Sequence, residues 1–292
     1  GMCALTSLVD FCGEQSLFLN EILSCYLPLS VLRACRSHVV VKAKDLRNDS
    51  LVVLKVFMTA DEPGFRLEWA LPHRFSCHPL PLHRITSKDL YFVVHVSPFL
   101  EDVVHCSPQT SRMWLEVCYR LFEILNKLHL ADWAHLDIKP SNVLVRKDSL
   151  EVFLIDFGCA EKIGMDLELD DEDDEESSSG TYPFTDPVYF ETGTPSTKSD
   201  MWSVGVMTAQ AILAQPYFPK KRPSPAEFLR LSKAFPDYFN QQTRASFKPE
   251  SYDADLVEVI KHLLVLDPNQ RWSAQIAQQR ISELLGRTIF VE

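Results

Sequence analysis

The sequence predicts an α+β protein in which a small antiparallel β-sheet precedes a mainly α-helical region. Residues 39–56 are largely β-branched and apolar on both sides of a turn at 47–50, the pattern of a β-hairpin. Residues 111–130 carry apolar side chains at a helical period, which predicts a core helix. Helical patterns at 225–234 and 254–266 follow, separated by turns rich in proline and asparagine.

The composition is that of a globular protein with a large core. The chain has 292 residues, of which 46% are hydrophobic, and it shows neither an internal repeat nor an interdomain linker. No apolar run approaches the roughly 20 residues of a bilayer span, and the net charge of -11 does not favour nucleic acid. We therefore expect neither a membrane nor a nucleic acid as a partner. The eight cysteines form no C-x-x-C pair, which argues against disulfides and zinc and favours the cytoplasm or the nucleus.

Two short motifs in the middle of the chain carry the residues of a phosphoryl-transfer site. The first is His-Leu-Asp-Ile-Lys-Pro-Ser-Asn at 135–142, and the second is Asp-Phe-Gly at 156–158. Phosphoryl transfer needs a carboxylate that orients the attacking hydroxyl, a cation near the phosphate and oxygen ligands for a metal ion. The motifs supply these groups as Asp137, Lys139, Asn142 and Asp156.

Together the two motifs resemble the catalytic loop and the metal-binding motif of the eukaryotic protein kinases, at the interval found in that family. The resemblance implies an α+β, bilobal protein-kinase-like fold. A small antiparallel sheet and one helix would form an N-lobe with an N-terminal extension at 1–96, and residues 97–292 would form a mainly α-helical C-lobe. ATP and Mg²⁺ would bind between the lobes. His-Leu-Asp combined with Asp-Phe-Gly-Cys-Ala-Glu-Lys at 156–162 is locally similar to the Mos kinases, and His-Leu-Asp is also similar to the Wee/Myt group.

The resemblance assigns a role to each polar residue of the motifs. Asp137 would accept or orient the proton of the attacking hydroxyl, and Lys139 would neutralise the phosphoryl group. Asn142 and Asp156 would bind Mg²⁺, which prefers oxygen ligands. Thr181 has the spacing of the threonine that reads the substrate hydroxyl in serine/threonine kinases. The implied partner is a protein substrate with a serine or threonine acceptor.

Another group of residues resembles the nucleotide-binding side of the family. Lys55 ends the word Leu-Val-Val-Leu-Lys and corresponds to the lysine that holds the α- and β-phosphates. Glu68 is the expected partner of this lysine, and Glu62 is a weaker candidate. Residues 89–94 indicate a strand that runs into residues 95–98, and this segment resembles the hinge of the family, with Val94 at the gatekeeper position. The complete set assigned to the nucleotide is Lys55, Glu68, Val40, Val53, Val94, His95, Val96, Ser97, Leu144, Arg33 and Arg36.

The chain departs from the family at the loop that normally covers the phosphates. Residues 33–38 read Arg-Ala-Cys-Arg-Ser-His where the family carries Gly-x-Gly-x-x-Gly. Losing two backbone contacts at roughly 1.5–3 kcal/mol each would weaken nucleotide binding on the order of 100-fold to 10,000-fold. We expect Arg33, Arg36 and His38 to recover part of this affinity by offering cations to phosphate.

Two further positions differ from the family pattern. Leu136 stands where many kinases have an arginine that meets a phosphate on the activation segment, which favours a site that does not need this modification. Val188 replaces the glutamate that usually pairs with the arginine at position 271, so we consider Glu191 as its substitute. Asp200 matches the aspartate that braces the catalytic loop.

An acidic stretch at 166–176, followed by three serines, accounts for much of the negative charge. Like charges at this density repel one another, which is typical of a solvated insertion. The alternative is a pseudosubstrate or a docking strip for a basic partner.

The sequence thus predicts an enzyme that transfers the γ-phosphoryl group of ATP to serine or threonine in proteins. The alternative is a pseudokinase scaffold that acts through protein–protein interaction. The absent loop glycines, Val188 and Pro72, which ends or kinks the helix of Glu68, favour the scaffold. A small-molecule kinase is a third hypothesis, which Thr181 disfavours.

Overall fold

The computed structural model describes residues 4–12, 17–34, 38–58, 83–86, 92–164, 180–213, 216–243 and 252–286. The chain folds as two compact units, Gly1–Glu101 and Asp102–Glu292. A β-sheet dominates the described part of the first unit, and the second is mainly helical. This arrangement confirms the predicted α+β class.

An antiparallel sheet is the main feature of the first unit. Its strands are β1 (Tyr26–Ala34), β2 (His38–Asp45), β3 (Leu51–Met58), β4 (His83–Thr86) and β5 (Phe92–Pro98). Their order across the sheet is β1-β2-β3-β5-β4. Strands β2 and β3 confirm the hairpin predicted at 39–56. Strand β5 includes residues 92–94 of the predicted strand and continues to Pro98, so residues 95–98, which were assigned to the hinge, pair with β3 instead.

The buried face of this sheet packs on two N-terminal helices, α1 (Ala4–Cys12) and α2 (Leu17–Cys25). The buried apolar residues described in α1 recur every four positions and therefore lie on one helical face: Ala4, Leu8 and Cys12. The sequence pattern did not predict these helices. The helix that it did predict, around Glu68, lies outside the described residues.

The helices of the second unit are α3 (Ser111–Leu130), α4 (Pro187–Thr192), α5 (Thr197–Ile212), α6 (Pro225–Thr243), α7 (Tyr252–Leu263) and α8 (Ala274–Leu284). The predicted core helix is confirmed as α3, whose first turn is capped by the Thr110 hydroxyl accepting the Met113 N–H at 3.2 Å. Helix α6 runs past the predicted end at 234 and contains Pro236. The complete burial of Phe235 and Phe239 explains why the helix continues despite the missing proline donor.

Short strands carry the two sequence motifs. They are β6 (Val103–His105), β7 (Trp133–Ala134), β8 (Val143–Arg146), β9 (Val152–Leu154) and β10 (Glu161–Lys162). Strands β6, β8 and β9 form one sheet, and β10 pairs with β7. The motif at 135–142 connects β7 to β8, and Asp-Phe-Gly follows β9. Among the described residues, no helix has the length and apolar content required to cross a membrane.

Candidate active site

A buried carboxylate fixes the backbone of the loop between β7 and β8. Asp200, in the first turn of α5, accepts the N–H of His135 at 2.9 Å and the N–H of Leu136 at 2.8 Å. The Nε2 of His129, near the end of α3, lies 2.8 Å from the same carboxylate. Asp200 is fully buried, so these contacts replace hydration that the carboxylate lost on folding. The bracing role predicted for Asp200 is thereby confirmed.

The His135 ring joins the two motifs. Its Nδ1 accepts the N–H of Asp137 at 3.3 Å, so Nε2 carries the proton and donates to the carbonyl of Ile155 at 3.0 Å. The edge of the ring meets Phe157 with centroids 4.8 Å apart. His135 therefore holds the backbone of Asp137 itself and that of Ile155, which precedes Asp156.

Four predicted residues meet in one hydrogen-bonded network. The Lys139 ammonium donates to Asp137 Oδ2 at 2.6 Å and to Thr181 Oγ1 at 2.6 Å. The Thr181 hydroxyl in turn donates to Asp137 Oδ1 at 2.7 Å. The Asn142 amide donates to Asp137 Oδ2 and to the Asp137 backbone carbonyl, both at 2.9 Å.

This network presents a charged carboxylate to a hydroxyl group. Asp137 and Lys139 are both buried, and their side chains form an ion pair, so screening by water is weak. One Asp137 oxygen accepts a hydrogen bond from the Thr181 hydroxyl, and the Lys139 ammonium donates to the oxygen of the same hydroxyl. This is the arrangement that a proton-accepting carboxylate and a phosphate-neutralising cation require.

Asn142 and Asp156 are placed at the same end of the β8–β9 pair. The N–H of Ile155, which precedes Asp156, donates to the Asn142 carbonyl at 3.0 Å. Asp156 has a left-handed backbone with φ 65° and ψ 65°. Both side-chain hydrogen bonds of Asn142 use its amide nitrogen, so the amide oxygen is available to accept a ligand.

Asp137 and Asp156 both act electrostatically on the Cys159 thiol. Burial, together with the negative charges of Asp137 and Asp156, raises the pKa of this thiol to about 11. The two carboxylates therefore both lie within electrostatic reach of one sulfur atom. An amide oxygen and one carboxylate suit Mg²⁺, because this ion is usually held by one or two protein oxygens together with phosphate oxygens and water.

The face of the first sheet that carries Lys55 is formed by facing residues of three strands. Val40 and His95 lie opposite Lys55 on β2 and β5, and Val53 lies opposite Ser97. Side chains of facing residues share one face of a sheet. Burial and the positive charge of Lys55 lower the pKa of His95 to about 4, so the imidazole is neutral at pH 7.

Val94 and Val96 alternate with these residues and lie on the opposite face. Both are buried in the apolar core that α1 and α2 cover. The residue of β5 directly opposite Lys55 is thus His95, whereas the sequence interpretation had placed the gatekeeper at Val94. The register of β3 and β5 sets this difference, because successive side chains of a strand point to opposite faces.

Other predicted nucleotide residues are placed as follows. Leu144 is half-buried in β8, where it faces His105 and Phe153. Arg33 is exposed near the end of β1. Glu68, Glu62 and Arg36 lie outside the described residues, as does the acidic stretch at 166–176. The pairing of Lys55 with Glu68 and a basic partner for the acidic stretch stay predictions.

Comparison with models of protein families matches the protein kinase domain to residues 84–281, more than half of the 292 residues. The chain belongs to the protein kinase family. The matched region begins after β3, so it includes the whole Asp137 network but not Lys55. The role of Lys55 therefore rests on the sequence resemblance alone.

Individual relatives are similar to this kinase domain at low identity. The mitogen-activated protein kinase pmk-3 of Caenorhabditis elegans is 22% identical over 189 residues, which are 56% of this chain and 39% of the relative. The serine/threonine-protein kinase RIM11/MSD1 of Saccharomyces cerevisiae is 27% identical over 198 residues, 60% of this chain and 51% of the relative. The dual specificity protein kinase zak2 of Dictyostelium discoideum is 24% identical over 276 residues, 92% of this chain and 38% of the relative. The chain spans less than two thirds of each of these relatives.

The kinase domain contains a buried ion pair that the sequence interpretation missed. Arg271 donates to Asp186 at 2.8 Å and 3.4 Å, and both side chains are almost completely buried. Glu191, the substitute considered from the sequence, instead pairs with Lys233 at the surface. That assignment was wrong. Asp186, the N-cap residue of α4, contacts Arg271, whereas Glu191 lies near the other end of the same helix. The Asp-Pro dipeptide at 186–187 was a usable signal, since aspartate at the N-cap followed by proline typically begins a helix.

Leu136 takes part in an apolar contact between the catalytic loop and α4. It is buried in a cluster with Ala134 and Tyr189, against which Ile163 also packs. The Tyr189 hydroxyl donates to Glu161 at 2.7 Å. Apolar packing therefore joins these segments at the position where many kinases place an arginine. Independence of a phosphate at this site stays a prediction.

Proposed function

We propose that this chain transfers the γ-phosphoryl group of ATP to serine and threonine hydroxyls of protein substrates. The observation that carries the proposal is the contact of one buried carboxylate, Asp137, with both the Lys139 ammonium and the Thr181 hydroxyl. Membership of the protein kinase family supports it. We further propose that the substrate is an intracellular protein of the cytoplasm or nucleus.

Asp137 is proposed to hold the acceptor hydroxyl and take up its proton. Its Oδ1 already accepts a hydroxyl at 2.7 Å, which is within the range that proton transfer requires. The Lys139 ammonium lies 2.6 Å from the hydroxyl oxygen, where its charge offsets negative charge that develops on a transferring phosphoryl group. Thr181 is proposed to align the substrate hydroxyl with both groups.

Asn142 and Asp156 are proposed to hold Mg²⁺. A bound magnesium ion neutralises negative charge on the phosphate oxygens during transfer. Asn142 contributes its amide oxygen, because its amide nitrogen is already used by Asp137. Lys55 is proposed to hold the α- and β-phosphates, with Val40, Val53, His95 and Ser97 on the same face of its sheet.

The alternative function is a pseudokinase scaffold that binds other proteins without transferring phosphate. It is favoured by side chains in place of the loop glycines at 33–38, because such side chains hinder close approach of the backbone to phosphate. The two functions differ in one observable, which is phosphate transfer that depends on Asp137.

The deciding experiment uses radiolabelled ATP, Mg²⁺ and a generic protein substrate with the wild-type chain and two matched variants. Asp137→Asn removes the carboxylate charge at nearly constant shape, and Asp148→Asn makes the same change at an exposed turn. We expect label on serine or threonine with wild type and with Asp148→Asn, and a loss of about 100-fold or more with Asp137→Asn. Equal labelling by wild type and Asp137→Asn would reject the catalytic proposal. Thermal stabilisation by ATP and Mg²⁺ without any transfer would favour the scaffold.

A further inference from the structure

A small, open pocket lies beside the Asp137 network, within the second unit. Gly180 and Tyr182 line it, and they flank Thr181, whose hydroxyl contacts Asp137 at 2.7 Å. Adjacent Cα atoms are about 3.8 Å apart, so the pocket begins within one residue of the network. A peptide whose hydroxyl reaches Asp137 therefore brings its neighbouring side chains to this pocket.

Aromatic contacts fix the walls of the pocket. The edge of the Tyr182 ring meets Phe228 with centroids 5.8 Å apart, and Phe190 meets Phe228 at 4.7 Å. The Tyr182 hydroxyl donates to the carbonyl of Pro219 at 3.0 Å, so this donor is already used. Rings held in this way offer an apolar surface that does not need to reorganise when a side chain binds.

Among its described lining residues, the pocket has a cationic side chain and no carboxylate. Arg222 lines the pocket and is exposed, and within the described part of the chain it forms no hydrogen bond or ion pair. None of the described lining residues is acidic. Two carboxylates on neighbouring helices are already engaged, because Glu227 pairs with Arg230 and Glu191 pairs with Lys233.

We propose that this pocket makes the kinase select substrates with an anionic side chain within two residues of the acceptor, and that Arg222 is the residue that recognises the anion. The aromatic walls receive the methylene stem of the side chain, and the guanidinium binds the terminal group. Guanidinium groups bind carboxylate and phosphate through paired N–H donors, so glutamate and a phosphorylated residue share this chemistry. The inference rests on the proposed function and specifies its substrates.

The test compares peptides that share one composition and one net charge. Each contains a single serine acceptor and one glutamate, which is exchanged with glutamine at the far end so that only the position of the charge changes. We expect one position within two residues of the serine to raise kcat/KM about threefold to tenfold. Phosphoserine at that position distinguishes the two sources of the anion, since a larger gain than with glutamate identifies a phosphorylated substrate.

Two variants locate the effect. Arg222→Ala is expected to remove the preference while the peptide with distant glutamate is phosphorylated at an unchanged rate. Lys221→Ala, which removes the adjacent exposed cation outside the pocket lining, is expected to keep the preference. A preference that survives in Arg222→Ala, or wild-type turnover that does not depend on glutamate position, would overturn the inference and leave the proposed function intact. Absence of transfer to every peptide by wild type would overturn both.

Discussion

Replacing Asp186 by alanine is expected to destabilise this kinase domain far more than replacing Glu191, five residues away. The Asp186 carboxylate accepts the Arg271 guanidinium and the Ser199 hydroxyl, and it caps α4 by accepting the N–H of Val188 at 3.1 Å. Within the residues that the structure describes, the Glu191 carboxylate accepts only the Lys233 ammonium, at the surface. Both carboxylates have a cationic partner, so burial is the main difference between them.

The magnitude follows from what each change leaves behind. Without Asp186 the Arg271 guanidinium stays buried, with the backbone carbonyls of Val265, Lys198 and Leu266 as its remaining acceptors. Removing one partner of a buried pair costs about 3–5 kcal/mol, and the lost helix cap contributes about 1 kcal/mol of this total. An exposed pair such as Glu191 with Lys233 contributes about 0–1 kcal/mol.

Urea unfolding of the full chain, followed by circular dichroism, measures both effects under the same conditions. We expect a large decrease in the unfolding midpoint for Asp186→Ala and a small one for Glu191→Ala, with similar slopes. Asp186→Asn is expected to fall between them, because asparagine retains the cap and loses the charge. A larger loss for Glu191→Ala than for Asp186→Ala would refute this reasoning.

Three further predictions concern burial and backbone conformation. Burial lowers the pKa of His95 to about 4 from 6.5, so the unfolded chain binds the proton first and the free energy of unfolding falls by up to about 3 kcal/mol as pH drops from 6.5 to 4. Between pH 7 and pH 5 the urea midpoint should therefore fall less for His95→Gln than for the exposed control His105→Gln. Equal falls for the two variants would contradict the prediction. Gly180→Ala should reduce the rate of phosphate transfer at least about tenfold. The residue has φ 104°, and an added Cβ would lie 3.1 Å from the Leu136 carbonyl oxygen, so the substitution should displace the adjoining Thr181. Unchanged kinetics would show that this close approach does not matter. Leu136→Arg should lower the free energy of unfolding by about 3 kcal/mol or more, because it buries a charge in an apolar cluster. Leu136→Met should lower it by less than about 1.5 kcal/mol. Equal losses for the two variants would argue against apolar packing at this position.

Local sequence patterns predicted several helices of the second unit and the β2–β3 hairpin of the first. The period of α3 and the β2–β3 hairpin follow from side chains that are close in sequence. The network of Asp137, Lys139 and Asn142 spans only six residues of the chain, and the family motif fixes its geometry. Thr181 is distant in sequence, and its place was predicted by its interval within the motif.

Contacts between distant segments were harder to predict. The pair of Asp186 and Arg271 joins residues 85 positions apart, and the sequence contains a more conspicuous carboxylate at Glu191. The N-terminal helices have nine residues each. Their apolar residues pack on the sheet, so the helices could not be predicted from their own short sequences. Val94 was assigned by counting along a family pattern, whereas the alternation of valine with His95 and Ser97 already indicated which residues face the core.

The most direct test of the central claim is a double-mutant cycle for Asp137 and Lys139, measured as kcat/KM for phosphate transfer to a serine peptide. The claim is that these residues act as one unit on one hydroxyl, so their effects should not multiply. We predict that Asp137→Asn with Lys139→Ala is about as slow as Asp137→Asn alone. Wild-type turnover by Asp137→Asn, or losses that multiply in the double variant, would contradict the claim.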